Sequence, residues 1–170
     1  MKLTNEQKQE LEDLYQSFFH DQKIERMKDI PMHRGSNCFI HSFSVAKLAI
    51  KRALRHKNVN LHVILLGAIL HDYYLYDWRT DKEKKKHHGK NHPNIASINA
   101  ERDFKVVKEV KKIIESHMWP LNWKSFPDTT EARIVSLADK HVASKEAATS
   151  IRSKANRKDE IMKSIEKLFD

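Results

Sequence analysis

Apolar residues recur along this chain at the three- and four-residue spacing of amphipathic helices. Leu11, Leu14, Tyr15, Phe18 and Phe19 mark the first stripe, opened by the capping-box pattern Thr4-Asn5-Glu6-Gln7, and it predicts a helix running to about residue 28. Ser36 or Asn37 can cap a second helix through about Arg55, carrying Ile40, Phe43, Ala46, Leu48, Ile50, Ala53 and Leu54. Asn60 caps a third, whose stretch from Val63 to Leu70 is apolar on nearly every side and so is expected to be buried. That helix ends in His71-Asp72, two polar residues that need partners inside the protein, because burying them alone is costly.

From Tyr73 to Asn91 the apolar periodicity fails and a long loop is expected, a length that often signals function. His92-Pro93 then opens a helix, with proline in a first-turn position, running through Ile95, Ala96, Ile98, Ala100 and Phe104. Another follows from about Lys105 to His117 with Val106, Val107, Val110, Ile113 and Ile114 inward, stopped by Trp119-Pro120. Asp128-Thr129-Thr130 caps the next, which reaches Asp139 behind Ile134, Val135, Leu137 and Ala138. A polar stretch from Ser144 to Asp159 precedes a short amphipathic end helix holding Ile161, Met162, Ile165, Leu168 and Phe169. The expected architecture is all-α, a single-domain bundle of about six to seven helices spanning residues 1–170.

Composition narrows the picture. The 170 residues suit one core; 32% are charged and 39% hydrophobic, which fits neither a membrane protein nor a disordered one. Three glycines and four prolines leave long helices uninterrupted. The N-terminal residues lack the apolar core of a signal peptide, and the single cysteine, Cys38, is read as a buried structural thiol, so a cytoplasmic location is expected. The net charge of +9 attracts anions, whether nucleotides, phosphorylated metabolites, nucleic acid or anionic membranes, and charge alone does not choose among them; no known reader motif supports nucleic acid, and no membrane partner is expected. The run Lys82-Glu83-Lys84-Lys85-Lys86 reads as a solvated loop that can help gather an anion.

The candidate chemistry lies in five elements in one order: His41, His71-Asp72, His92, His117 and Asp139, each near the end of a predicted helix. Imidazole and carboxylate are the donors that hold divalent first-row metals. A His-Asp dipeptide alone is weak evidence, since a chain this rich in both residues contains about one by chance. The chain has two, and His20-Asp21, midway along the first predicted helix with no histidine cluster nearby, is read as surface.

The order and flanks of the five elements resemble the HD-domain phosphohydrolase superfamily over roughly residues 33–145. The flanks are His41-Ser42-Phe43-Ser44-Val45-Ala46, Leu66-Gly67-Ala68-Ile69-Leu70-His71-Asp72, His92-Pro93-Asn94-Ile95-Ala96, Ile113-Ile114-Glu115-Ser116-His117 and Val135-Ser136-Leu137-Ala138-Asp139. The set is similar to that of small bacterial HD proteins, among them dinucleoside-tetraphosphate hydrolases. A bacterial branch sharing the flavour of His71-Asp72-Tyr73-Tyr74-Leu75-Tyr76-Asp77-Trp78 and of His117-Met118-Trp119-Pro120-Leu121 looks closer still.

That resemblance implies a metal-dependent phosphohydrolase that hydrolyses a phosphate ester of a nucleotide or other small phosphorylated metabolite, with one or two divalent ions (Fe, Mn, Co, Ni, Zn or Mg). His41, His71, Asp72 and Asp139 would hold one ion; His92 and His117 would add a second, with Asp72 bridging and serving as the catalytic residue that orients the attacking water. His33, Arg34, His88, Lys90 and Lys140 are candidates for binding substrate phosphates. The glutamate or lysine that some relatives carry just after His-Asp is replaced here by Tyr73, Tyr74 and Leu75. Two rival readings share the fold: a di-iron oxygenase with the same ligand set, and a non-catalytic ligand- or nucleic-acid-binding HD domain.

Overall fold

The computed structural model describes residues 1–32, 36–80, 82–148 and 154–169, with the backbone alone for residues 83, 84 and 154–158. Among them run eight α-helices and no strand: α1 (Asn5–Phe19), α2 (Gln22–Glu25), α3 (Cys38–Ala53), α4 (Leu61–Leu70), α5 (Lys82–Phe104), α6 (Lys108–Ser116), α7 (Thr130–Ala148) and α8 (Lys154–Ile165). A 3-10 turn at Arg26–Asp29 follows α2. The all-α class is as expected, with slightly more helices than the periodicity predicted.

The local signals explain most boundaries. Thr4 and Gln7 form the reciprocal capping box of α1. Asn37 caps α3 by accepting from the Ile40 N–H, Asn60 caps α4 by accepting from the Val63 N–H, and the Thr129 hydroxyl accepts from the Ala132 N–H at the start of α7. The first predicted helix, by contrast, is broken at His20-Asp21. The Asp21 backbone is extended and its carboxylate accepts from the Lys23 and Ile24 N–H groups, so a good N-cap residue starts a new helix where the apolar stripe alone suggested continuation.

A second correction concerns α5. Residues 82–91 are helical, so the loop is limited to the segment after Asp72, and Pro93 lies inside the helix rather than at its start. The front of α5 faces solvent, with Lys82, Lys85, Lys86 and His87 exposed, so it has no apolar stripe to betray it. Lys and Glu are nonetheless good helix formers. The helix ends where Lys105 enters the left-handed region (φ 52).

Helix α4 packs against α3, α6 and α7 around the core, and α7 also packs against α3 and α6, with α5 laid against α6 and α8 against α3. Tyr15, Phe19, Phe39 and Phe43 form an aromatic cluster between α1 and α3. The approach of α4 to α6 depends on Gly67: a Cβ there would lie 2.7 Å from Ile113 Cγ2. This close crossing brings the C-terminal ends of both helices, His71 and His117, together, their rings 4.9 Å apart.

Candidate metal centre

Each of the six predicted ligand residues reaches one place from a different position in the bundle. His41 stands in the first turn of α3, His71 caps the C-terminus of α4 with Asp72 next to it, His92 lies within α5, His117 caps α6 and Asp139 comes from α7. All six are buried, none more than 8% exposed.

Asp72 is the hinge of the arrangement. Its Oδ2 lies 3.4 Å from His71 Nε2 and 3.9 Å from His41 Nε2. Its Oδ1 lies 3.2 Å from His92 Nε2 and 3.7 Å from His117 Nε2. Asp139 Oδ1 closes the first half, 3.1 Å from His41 Nε2 and 3.7 Å from His71 Nε2. The cluster therefore has two lobes, and one carboxylate turns an oxygen toward each.

Backbone carbonyls set the direction of three of the imidazoles. A carbonyl can only accept, so the ring nitrogen facing it carries the proton. His71 Nδ1 donates to Ala68 O (2.8 Å), His92 Nδ1 to His88 O (2.8 Å) and His117 Nδ1 to Ile114 O (2.7 Å). Each ring thus turns Nε2 to the centre. His41 also turns Nε2 inward, but its Nδ1 meets the Glu146 carboxylate at 2.9 Å. Glu146 was not singled out in the sequence. It stands seven residues after Asp139, two turns on and so on the same face of α7, but the helix was expected to fade into a polar stretch before reaching it.

Burial alone would depress the His41 pKa, but Asp139 and Glu146 hold it up at about 9. His71 is likewise raised, against its burial, by Asp72 and Asp139. The two aspartates are held well below the usual carboxylate range, also against burial, by the facing histidines. Burial, with His71 and His92 nearby, pushes His117 down to about 3 and keeps it neutral.

The donor set fits a divalent metal. His71 Nε2 and Asp72 Oδ1 are fully buried yet have no hydrogen-bond partner of proper geometry, a costly state that a cation would relieve. His92 and His117 bring their Nε2 atoms to 3.0 Å. Two ligands at right angles on metal–nitrogen bonds of about 2.1 Å stand about 3.0 Å apart. Three overlapping groups, His41–His71–Asp72, His71–His117–Asp139 and Asp72–His92–His117, have donor atoms close enough to share an ion. Cys38 takes no part: buried, with its thiol pKa pushed up by that burial, it donates to the Asp72 carbonyl at 3.1 Å.

The centre floors a cleft of about 650 Å³ walled by Met32, Trp78, Met118, Pro120 and Leu121. His88 and Lys140 line it too. The His88 ring stacks on His92 (4.5 Å) and Trp78 (5.0 Å) and is hydrogen-bonded to the Tyr76 hydroxyl at 3.0 Å; burial lowers its pKa to about 4. Lys140, its pKa lowered by burial, hydrogen-bonds to His117 O (2.9 Å) and Ser136 Oγ (2.6 Å) at the edge of the cleft. Lys90 is exposed on α5 and does not line the cleft, which separates it from the other candidates. His33 and Arg34 lie outside the described residues. His20 is exposed and distant in role, its neighbour Asp21 being spent as a helix cap. Tyr73 and Tyr74 are buried, their hydroxyls on Asp103 Oδ2 (3.0 Å) and Met32 Sδ (3.3 Å).

An all-helical fold with a buried cluster of four histidines and two aspartates defines the class. A family model for the HD domain matches residues 38–144, and the chain belongs to that family. No curated protein and no solved structure matches the chain. Among the described residues no helix is long and apolar enough to cross a membrane.

Proposed function

We propose that this protein is a metal-dependent phosphohydrolase acting on a phosphate ester of a small metabolite, such as a nucleotide. The observation that carries the reading is the two-sided Asp72, whose oxygens face His41 and His71 on one side and His92 and His117 on the other. His41, His71, Asp72 and Asp139 would hold one ion, and His92 and His117, sharing Asp72, a second. Bound there, divalent ions supply Lewis acidity toward phosphate oxygens and make water acidic enough to be a nucleophile near neutral pH.

The chain's own groups do the rest. The Nδ1 bonds of His71, His92 and His117 keep their Nε2 atoms aimed inward before any ligand arrives, so little reorganisation of the rings is needed. Asp72, an acceptor held ionised by the facing histidines, would orient a water by accepting a hydrogen bond from it. Lys140 brings positive charge to the cleft edge where a phosphate would lie. The apolar wall of Met32, Trp78, Met118 and Leu121 suits the part of the substrate that is not phosphate.

The test is a phosphoester and nucleotide panel run on metal-stripped full-length protein with Mn²⁺, Fe²⁺, Co²⁺, Ni²⁺ and Mg²⁺ restored singly. Phosphate release that requires metal and stops with EDTA supports the reading. Oxygen uptake with an iron-loaded sample and no phosphate release would replace it with an oxygenase, and metal binding without any turnover would leave a binding module.

A further inference from the structure

We infer that Glu146 is a positioning residue of the metal centre: it accepts the His41 Nδ1 proton and so presents His41 Nε2 to Asp72 and Asp139. The inference rests on the reading of the cluster as a metal site.

An imidazole can donate its Nε2 lone pair to a metal only if its remaining proton sits on Nδ1, and the group facing Nδ1 sets that tautomer and the ring's direction. For His71, His92 and His117 that group is a carbonyl three or four residues back on their own helix. His41 has no such local device. It sits in the first turn of α3, and its Nδ1 bonds to no carbonyl of that helix. Its Nδ1 partner is instead a side chain 105 residues away.

The contact has the form of a built support. Glu146 Oε2 is 2.9 Å from His41 Nδ1, and Oε1 accepts from Ser36 Oγ at 3.0 Å, so both oxygens are engaged. The glutamate side chain is only 14% exposed. Asp139 and Glu146 stand two turns apart on α7 and grip the His41 ring from both sides, Asp139 at Nε2 (3.1 Å) and Glu146 at Nδ1. Through Ser36 the same carboxylate also ties down the segment leading into α3. Glu146 lies two residues beyond the span that matches the HD family. The support is therefore read from this chain's own geometry.

The experiment is calorimetric titration of Zn²⁺ into metal-stripped full-length protein, comparing wild type with Glu146→Ala, Glu146→Gln and His41→Ala. Loss of a carboxylate behind a ligating histidine costs about 10–100-fold in metal affinity. Glu146→Ala should weaken the step that depends on His41 by that factor and leave the other unchanged, with Glu146→Gln, whose amide oxygen can still accept, recovering part of the loss. A merely structural role would lower the melting temperature without selecting one binding step. Long-range ¹H–¹⁵N spectra of Zn²⁺-loaded wild type give a second readout that does not depend on a variant folding: His41 should carry its proton on Nδ1. Wild-type affinity in Glu146→Ala, or a His41 proton on Nε2, overturns the inference and leaves the metal reading standing. A wild-type protein that binds no metal overturns both.

Discussion

Metal affinity at this centre should rise steeply with pH, and the size of the effect follows from His41. In the metal-free protein Asp139 and Glu146 raise its pKa from 6.5 to about 9 despite burial. At pH 7 its Nε2 therefore bears a proton that an incoming metal must displace. Each pH unit below that value costs about tenfold, or about 1.4 kcal/mol, so between pH 7 and pH 9 His41 alone should tighten binding by about 100-fold. His71, raised in the same way by Asp72 and Asp139, steepens the slope. The assay is titration calorimetry with Mn²⁺ at pH 6.5, 7.5 and 8.5, in buffers of different ionisation enthalpy. Between one and two protons should leave per metal bound at pH 7. Stability of the metal-free protein should run the other way. A folded-state pKa above the unfolded one stabilises fully below pH 6.5 and is lost as pH climbs toward about 9, a loss on the order of 3 kcal/mol. Seen from the carboxylates, whose pKa values are depressed, the same ion pairs lose their contribution on acidification below the usual carboxylate range. An affinity that stays flat from pH 6.5 to 8.5 with no proton release would refute the reasoning, since it would mean that no proton occupies the ligand positions.

Asp72→Ala should abolish metal-dependent hydrolysis while keeping the helical circular dichroism signal, and His20→Ala should leave the rate within about twofold of wild type; equal losses in both would mean that the wrong His-Asp pair has been assigned. His117→Ala should remove one metal equivalent and leave one, which elemental analysis after dialysis will count; unchanged stoichiometry would make the centre mononuclear. Gly67→Ala should lower stability by about 1–3 kcal/mol, because a methyl group 2.7 Å from Ile113 forces α4 and α6 apart, and denaturant unfolding with an unchanged midpoint would contradict this.

What could be read from the chain alone was what is local. Thr4, Asn37, Asn60 and Thr129 announce helix starts because a cap is satisfied within three residues. The burial of α4 was legible in its unbroken apolar run, and from it followed the need of His71 and Asp72 for internal partners. The order of His41, His71-Asp72, His92, His117 and Asp139 picked out the cluster from eleven histidines only through its resemblance to the HD family. Hydrophobic periodicity failed where it carries no information: at Asp21, where a side-chain cap outcompetes the apolar stripe, and along residues 82–91, where the inward positions are His88 and Gly89 rather than large apolar residues. The tertiary structure alone decided how the ligands divide. That Asp72 faces two histidine pairs with separate oxygens, that His71 Nε2 and Asp72 Oδ1 are buried without a hydrogen bond of proper geometry, and that His41 leans on Glu146 are all outcomes of helices crossing. Contacts between residues 105 positions apart depend on where α3 and α7 pack, and no spacing along the chain encodes that.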